Sequence, residues 1–368
     1  MNEVLILGGT GAMGCYLVSI LKVNYHVIVT SRKKRCDSEN VTYIQGNAHN
    51  ISFLKRLLCK KKYDAIIDFM HYTTAEFKQR HEMLLDSCYQ LVFISSARVY
   101  ADSSNSLITE KSPRLLDVTE DMEFLETDDY ALAKARQEDI LVKGKRKNWT
   151  IVRPYMTYFR NRLDLGFYSK ELWLYRVLKG RKILFPKDVA TKYTTLTYGN
   201  DVANGIAALL GKEESLGNIF HITSNKSYKW YDIIRAYQDT LKKCGLNMQV
   251  EYIETPLFKE DYIYKYDRLY NRRFDNQKIQ KYIDVDSFTD TLIGLKQEIV
   301  SFVRNPVFNK INWDDQSDWD NTLKEKTSLS EIPSKKEKIK YLIHTYLFSN
   351  MSYKRCRKAI KHLIKNYN

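Results

Sequence analysis

Three side chains in the first 150 residues have the types and spacing of a proton-transfer site. Tyr130 and Lys134 stand four residues apart in a helix-like segment, so both face the same side. A nearby ammonium stabilises a phenolate, which lets a tyrosine give or take the proton of a carbinol. Ser96, at the end of an apolar run, supplies a hydroxyl that can hold the carbonyl oxygen. This chemistry fits hydride exchange with a nicotinamide.

A glycine-rich turn near the start of the chain predicts a dinucleotide site. Glycines at 8, 11 and 14 follow the apolar run 4–7 and open a helix-like segment. Glycine allows the tight turn and a close approach of the backbone to a pyrophosphate, while the N–H groups of the first helical turn point at the anion. The expected contacts are Gly8, Thr10, Gly11, Ala12, Met13 and Gly14.

The end of the second predicted strand bears on the choice between NAD(H) and NADP(H). An acidic residue at this position binds the ribose 2′-OH and repels a 2′-phosphate. The sequence instead has Ser31 and Arg32, followed by three more cations. This favours NADP(H), with both side chains at the 2′-phosphate. NAD(H) is the alternative, in which the basic residues form a solvated turn.

The elements that must position these residues alternate between strand-like and helix-like runs. Strands are predicted at 4–7, 26–30, 41–44, 64–69, 91–95 and 150–152, with helices at 11–21, 51–59, 77–88 and 130–141. Apolar strands that alternate with helices predict a parallel sheet covered on both faces. Right-handed crossovers then give a doubly wound α/β Rossmann fold, whose site lies at the carboxyl ends of the strands.

We predict four regions along the chain. They are a dinucleotide-binding domain at 1–157, completed by parts of 194–225; a smaller α+β substrate-binding region at 158–304; a polar linker or arm at 305–334; and a basic helical tail at 335–368. The tail holds ten cations against one acid, a charge of +9 out of the total of +15. It is predicted to pack on its own domain or to lie on an anionic membrane surface, with nucleic acid the least favoured partner.

Taken in order, these motifs resemble the extended short-chain dehydrogenases/reductases of the nucleotide-sugar epimerase/dehydratase type. The shared motifs are the glycine turn, Gly46-Asn47, Ser-Ser-Ala-x-Val-Tyr at 95–100, Tyr-x-x-x-Lys at 130–134 and Arg153-Pro154. The resemblance implies that Tyr130 is the acid/base, that Lys134 supports it and binds the cofactor ribose, and that Ser96 or Ser95 binds the carbonyl oxygen. It also implies cofactor contacts at Asn47, Ala48, Phe69, Ser95 and Pro154.

Two departures from the family pattern bear on the reaction. The dehydratases of this type carry an Asp-Glu pair where this chain has Ala97 and Arg98, so the elimination of water is disfavoured. Met156 replaces an asparagine that usually contacts the nucleotide of the substrate. The diphosphate of such a substrate needs cations, and five arginines are candidates for this role. The alternative is that they are solvated surface residues. The candidates are Arg98, Arg160, Arg162, Arg272 and Arg273.

Composition excludes several other classes of protein. A hydrophobic fraction of 44% is too high for a disordered chain, and no apolar run is long enough for a membrane-spanning helix. The six cysteines are scattered and the seven histidines lack zinc spacings, so we expect neither disulfides nor a metal site. The first residues lack the basic segment of a secretory signal, and a cytoplasmic location is expected.

The sequence therefore favours one activity and leaves two alternatives. We expect an NADP(H)-dependent oxidoreductase that reduces a keto group of a nucleotide-linked sugar, in the synthesis of cell-surface polysaccharide precursors. The first alternative is an epimerase that retains its NAD(P). The second is a non-catalytic relative that senses NADP(H) and binds RNA through the tail. The family resemblance also implies a homodimer.

Overall fold

The computed structural model describes residues 2–59, 61–104, 106–254 and 261–347, which divide between two compact units. The first unit combines Met1–Asn161, Lys192–Lys229 and Leu269–Leu295, and the second combines Arg162–Thr191, Trp230–Arg268 and the chain from Lys296 onward. Residues 269–295 therefore differ from the prediction, which placed them in the smaller region. They belong to the first unit because Ile108 and Phe274 form a β-bridge.

A parallel sheet of seven strands forms the centre of the first unit. The strands of the chain are β1 (Glu3–Leu7), β2 (His26–Ser31), β3 (Val41–Gln45), β4 (Tyr63–Asp68), β5 (Cys88–Ile94), β6 (Trp149–Pro154), β7 (Met156–Tyr158), β8 (Ile183–Pro186), β9 (Tyr193–Thr194), β10 (Leu196–Tyr198), β11 (Asn218–Ile222), β12 (Tyr228–Lys229) and β13 (Val250–Ile253). The sheet order is β11–β6–β5–β4–β1–β2–β3, which confirms the predicted doubly wound α/β fold. The order reverses at β1, where such sheets bind ligands.

Helices cover both faces of this sheet. Over the described residues of both units, the helices of the chain are α1 (Gly14–Leu21), α2 (Ile51–Leu58), α3 (Thr74–Lys78), α4 (His81–Asp86), α5 (Leu115–Val118), α6 (Met122–Leu125), α7 (Tyr130–Lys143), α8 (Trp173–Leu178), α9 (Lys187–Ala190), α10 (Gly199–Leu209), α11 (Trp230–Lys243), α12 (Thr291–Arg304), α13 (Trp313–Leu323) and α14 (Lys335–Leu347). Ile6 packs in a core with Leu17 of α1, and Leu5 packs in a second core with Leu54 of α2. Since neighbouring strand residues face opposite layers, β1 is apolar at every position from Val4 to Leu7.

One predicted helix is divided in the structure. The segment 77–88 was expected to form a single helix, whereas it contains the end of α3, all of α4 and the first residue of β5. Arg80 lies between the two helices and is buried, with its Nη2 donating to the carbonyl of His49 at 3.2 Å. Its guanidinium also lies 4.3 Å from the ring centre of Tyr72, so this cation is held inward at the break.

The second unit contains a small parallel sheet of β8 and β13 together with helices. Residues 305–334 were predicted to be a linker or arm, which is wrong for their central part, because α13 lies within them. Arg176 of α8 is fully buried and donates to Asp320 of α13 at 2.7 Å and to Glu325 at 2.6 Å. Some of the acidic residues in this segment are therefore partners in buried or partly buried ion pairs.

The basic tail begins as the predicted helix. Residues 335–347 form α14, whose Tyr341 is buried and donates its hydroxyl to Asp320 at 2.8 Å. The opposite face leaves Ile339, Ile343 and Tyr346 exposed. The second predicted tail helix, after residue 350, lies outside the described residues.

Candidate active site

The turn between β1 and α1 has the backbone shape that a pyrophosphate requires. Gly8 has a φ of +75°, and a Cβ on Gly14 would lie 2.6 Å from the carbonyl carbon of Gly9. A Cβ on Gly11 would meet nothing within 4 Å, so the turn is open on that side. The N-cap residue of α1, Met13, supplies no side-chain hydrogen bond. Because the first N–H groups of a helix lack partners within it, this turn fits the predicted dinucleotide.

The predicted adenosine-side residues lie at the carboxyl ends of β2 and β3. Ser31 is buried at the end of β2, and Arg32 is exposed directly after it. The backbone N–H of Gly46 donates to the carbonyl of Ser31 at 2.9 Å. This bond sets Asn47 and Ala48 beside the end of β2.

Two further predicted cofactor residues lie at the same edge of the sheet. Phe69 directly follows β4, and its backbone N–H donates to the carbonyl of Leu7 at 3.0 Å. Pro154 is buried and ends β6. Both residues therefore belong to the strand ends around the point where the sheet order reverses.

The two serines after β5 have different environments. Ser95 is buried and donates its hydroxyl to Glu138 at 2.6 Å, which turns it towards α7. Ser96 caps a short 3-10 helix, and its Oγ accepts from the backbone N–H of Arg98 at 3.2 Å. Among the described residues none accepts the Ser96 hydroxyl proton, whereas that of Ser95 is donated to Glu138, so the geometry favours Ser96 over Ser95 as the predicted carbonyl-oxygen donor.

Tyr130 and Lys134 occupy the first two turns of α7. The helix begins at Tyr130 because the carboxylate of Asp129 caps it, accepting from the N–H of Ala131 at 3.0 Å. The Lys134 ammonium donates to the carbonyl of Ile94 at 2.8 Å and to that of Met70 at 3.3 Å. These bonds place the ammonium between the ends of β4 and β5.

Burial sets the charge properties of this site. Lys134 is 3% exposed, and burial lowers the pKa of its ammonium from 10.5 to about 8. Asp68, the last residue of β4, is fully buried, and its pKa is raised to about 6 by burial. A nearly dry ammonium exerts a stronger field on a neighbouring phenolate than a solvated one does. Lys134 is therefore a buried cation at the ends of β4 and β5, and its role beside Tyr130 stays a prediction.

Two ionisable residues flank the ring of Tyr130. The Arg98 guanidinium lies 5.2 Å from the ring centre, and the His71 ring centre lies 4.7 Å from it. Burial lowers the pKa of His71, so its imidazole is neutral at neutral pH. Neither residue was predicted from the sequence to lie beside Tyr130.

Comparison with known protein families finds a match that includes the predicted site residues. Residues 4–223 match the NAD-dependent epimerase/dehydratase family, a match that includes the glycine turn, Ser96, Tyr130 and Lys134. The chain belongs to this family. The predicted resemblance to nucleotide-sugar epimerases and dehydratases is thereby confirmed.

Individual relatives of this family are distant in sequence. A UDP-glucose 4-epimerase of Neisseria meningitidis serogroup A is 23% identical over 292 residues, which cover 65% of this chain and 82% of the relative. The structure of a dTDP-glucose 4,6-dehydratase of Bacillus anthracis with NAD has a TM-score of 0.64 at 16% identity, covering 83% of this chain and 97% of that one. A UDP-glucuronic acid 4-epimerase of Bacillus cereus, with UDP-glucuronic acid and NAD, has a TM-score of 0.60 at 16% identity, covering 82% and 99%. These structures share the fold.

The predicted substrate arginines differ in exposure. Arg160 and Arg273 are half-buried in the first unit, and the exposed Arg162 belongs to the second unit and pairs with Asp164. Arg272 requires a correction, because it is fully buried and donates to the main-chain carbonyl of Tyr100 at 3.1 Å. Its guanidinium holds the loop after β5 and does not face solvent.

A buried ion pair between Glu138 and Arg153, which contacts Ser95, was not predicted from the sequence. Glu138 and Arg153 are buried and joined by two hydrogen bonds of 2.6 and 2.8 Å, and Glu138 also accepts the Ser95 hydroxyl. The only sequence signal was Arg153 in the family's Arg-Pro dipeptide.

Among the described residues, no group of histidine, cysteine or acidic side chains is arranged to hold a metal ion. No helix in the described ranges could span a membrane.

Proposed function

We propose that this member of the epimerase/dehydratase family interconverts an alcohol and a ketone on a nucleotide-linked sugar. The observation that carries the proposal is the placement of Tyr130 at the start of α7, one turn before a fully buried Lys134. Ser96 completes the set at the end of β5. The glycine turn of the same unit fits the cofactor that such a reaction needs.

The residues divide the chemistry between them. NAD(P) supplies or receives the hydride when it is bound at the glycine turn. Ser96 donates a hydrogen bond to the oxygen of the reacting carbon. Tyr130 takes the proton of the hydroxyl as the ketone forms and returns it in the reverse direction. The Lys134 ammonium stabilises the phenolate that Tyr130 becomes.

Epimerisation is the net reaction that we favour. The relative from Neisseria meningitidis is a UDP-glucose 4-epimerase, and the matched family is named for NAD-dependent epimerases and dehydratases. Dehydration lacks support because Ala97 and Arg98 supply no carboxylate after β5. Reduction of a keto-sugar for polysaccharide precursors is the second candidate, favoured by the exposed cations from Arg32 to Arg35, which suit NADP(H).

One experiment separates the two reactions. The purified chain is incubated with UDP-sugar alcohols and NAD+ or NADP+, and separately with 4-keto derivatives and NADH or NADPH. Products are followed by NMR and by nicotinamide absorbance. A new epimer without a net change in the oxidation state of the cofactor supports epimerisation. Cofactor oxidation equal to the amount of alcohol formed supports reduction. The absence of both contradicts the proposed function.

The exposed apolar face of α14 supports a separate proposal about the tail. Ile339, Ile343 and Tyr346 are 59%, 43% and 66% exposed and lie three or four residues apart, so they form one stripe. Four lysines lie in the first half of α14, at positions 335, 336, 338 and 340, and the tail as a whole carries a sequence charge of +9. We propose that this face contacts an anionic membrane surface, since a basic amphipathic helix combines apolar insertion with attraction to lipid headgroups.

A further inference from the structure

Arg98 has hydrogen-bonding capacity that its surroundings leave unused. A guanidinium carries five N–H donors and stays charged at neutral pH. The Arg98 side chain is 19% exposed, and its Nε is buried without a hydrogen-bond partner in the described part of the chain. Its nearest carboxylate, that of Asp129, lies 3.9 Å away, which is beyond hydrogen-bonding distance.

Asp129 does not account for the position of this arginine. Its carboxylate already accepts from the N–H of Ala131 at 3.0 Å as the cap of α7. An ion pair at 3.9 Å between partly exposed groups contributes little to stability. A buried donor without a partner, in contrast, is costly unless a ligand satisfies it.

The guanidinium of Arg98 lies beside Tyr130, and the main chain of Arg98 contacts Ser96. The N–H of Arg98 donates to the Oγ of Ser96, and its Cζ lies 5.2 Å from the ring centre of Tyr130. Arg98 is therefore hydrogen-bonded through its main chain to Ser96, and its guanidinium lies beside the ring of Tyr130. A sugar whose reacting oxygen meets Tyr130 would have its neighbouring substituents within reach of Arg98, because the guanidinium lies beside the Tyr130 ring.

We propose that Arg98 binds a carboxylate on the sugar, so that the substrate is a nucleotide-linked uronic acid. This inference rests on the proposed function, because it requires a sugar at Tyr130. A carboxylate on the carbon next to the reacting one matches the fork of donors in a guanidinium and meets the unpaired Nε. A neutral hydroxymethyl group in that place would leave the guanidinium charge without a partner.

The test compares two ligands that differ only at this group, UDP-glucuronic acid and UDP-glucose. Dissociation constants and kcat/KM are measured for the wild type with its nicotinamide cofactor and for Arg98→Gln. We expect the wild type to prefer the uronic acid by ~10-fold or more, as charge-assisted hydrogen bonds are strong. The preference should fall towards one in Arg98→Gln and be partly retained in Arg98→Lys. The exposed Arg56→Gln serves as the matched control and should keep the wild-type ratio.

The possible results separate the carboxylate assignment of Arg98 from the proposed interconversion of alcohol and ketone. A preference for UDP-glucose in the wild type overturns the carboxylate assignment and leaves the proposed function intact. An equal loss of both ligands in Arg98→Gln also overturns it, since that result indicates contact with the shared diphosphate. Failure of the wild type to bind or convert either sugar contradicts the proposed function and the inference together.

Discussion

Replacement of Lys134 by methionine is expected to stabilise the fold while it removes the activity. The ammonium is buried at the ends of β4 and β5, and its hydrogen bonds go to the carbonyls of Ile94 and Met70. Burial lowers its pKa from 10.5 to about 8. The folded protein therefore holds this charge at a cost that a methionine of similar length avoids.

The magnitude follows from the pKa of Lys134. The fall from 10.5 to about 8 is about 2.5 pH units, and about 1.36 kcal/mol per unit gives roughly 3.4 kcal/mol at neutral pH. Methionine leaves two carbonyl groups without this donor, at about 1 kcal/mol each. The free energy of unfolding should thus be roughly 1 to 2 kcal/mol higher in Lys134→Met than in the wild type at pH 7.

The dependence on pH gives the same prediction a second test. Between about pH 8 and pH 10.5 the unfolded chain keeps a proton on Lys134 that the folded chain has released. The unfolding free energy of the wild type therefore rises with pH relative to the variant, and the order of the two reverses. Urea unfolding at pH 7 and at pH 10.5 measures this difference. The exposed Lys55→Met is the control, for which no such reversal is expected.

Two results would refute this reasoning about Lys134. One is a variant that is less stable than the wild type at pH 7. The other is a stability difference that stays constant from pH 7 to pH 10.5. Either result would mean that the ammonium is well solvated in the folded protein.

Three further changes test other parts of the account. Arg32→Ala should lower the ratio of NADPH to NADH affinity by ~10-fold, measured by fluorescence titration, and an unchanged ratio would remove this residue from the 2′-phosphate site. Asp320→Ala leaves the buried Arg176 without its 2.7 Å partner and should lower the free energy of unfolding by ~3–5 kcal/mol in urea; a loss below 1 kcal/mol would argue against the buried pair. Ile343→Glu should reduce co-sedimentation with vesicles that contain phosphatidylglycerol, whereas Met122→Glu, also exposed, should not; equal behaviour of the two variants would contradict membrane contact by α14.

Local patterns in the sequence were sufficient to predict the sheet-containing unit. The run from Val4 to Leu7 is apolar at every position because both faces of the sheet are covered, and this signal needs no knowledge of distant residues. The glycine turn and the spacing from Tyr130 to Lys134 are equally local. The predicted bounds of β1 and α7 therefore differ from those in the structure by one or two residues.

Features that depend on distant partners could not be predicted in this way. Ser95 and Ser96 are adjacent and chemically alike, and it is Glu138, 43 residues after Ser95, that accepts the Ser95 hydroxyl. Arg272 is an ordinary cation in sequence, yet it donates to a carbonyl 172 residues earlier. The segment around α13 is rich in Asp, Asn and Ser and resembled a linker because its buried partner, Arg176, is 144 residues away.

The most direct test of the central claim is the turnover of Tyr130→Phe. Interconversion of the sugar alcohol and ketone, followed by NMR, is expected to fall at least ~100-fold, since the variant lacks the proton donor and acceptor. The melting temperature and the affinity for the nicotinamide cofactor should remain close to those of the wild type. Turnover within a few-fold of the wild type, in a folded variant that binds cofactor, would contradict the assignment of Tyr130 as the acid/base.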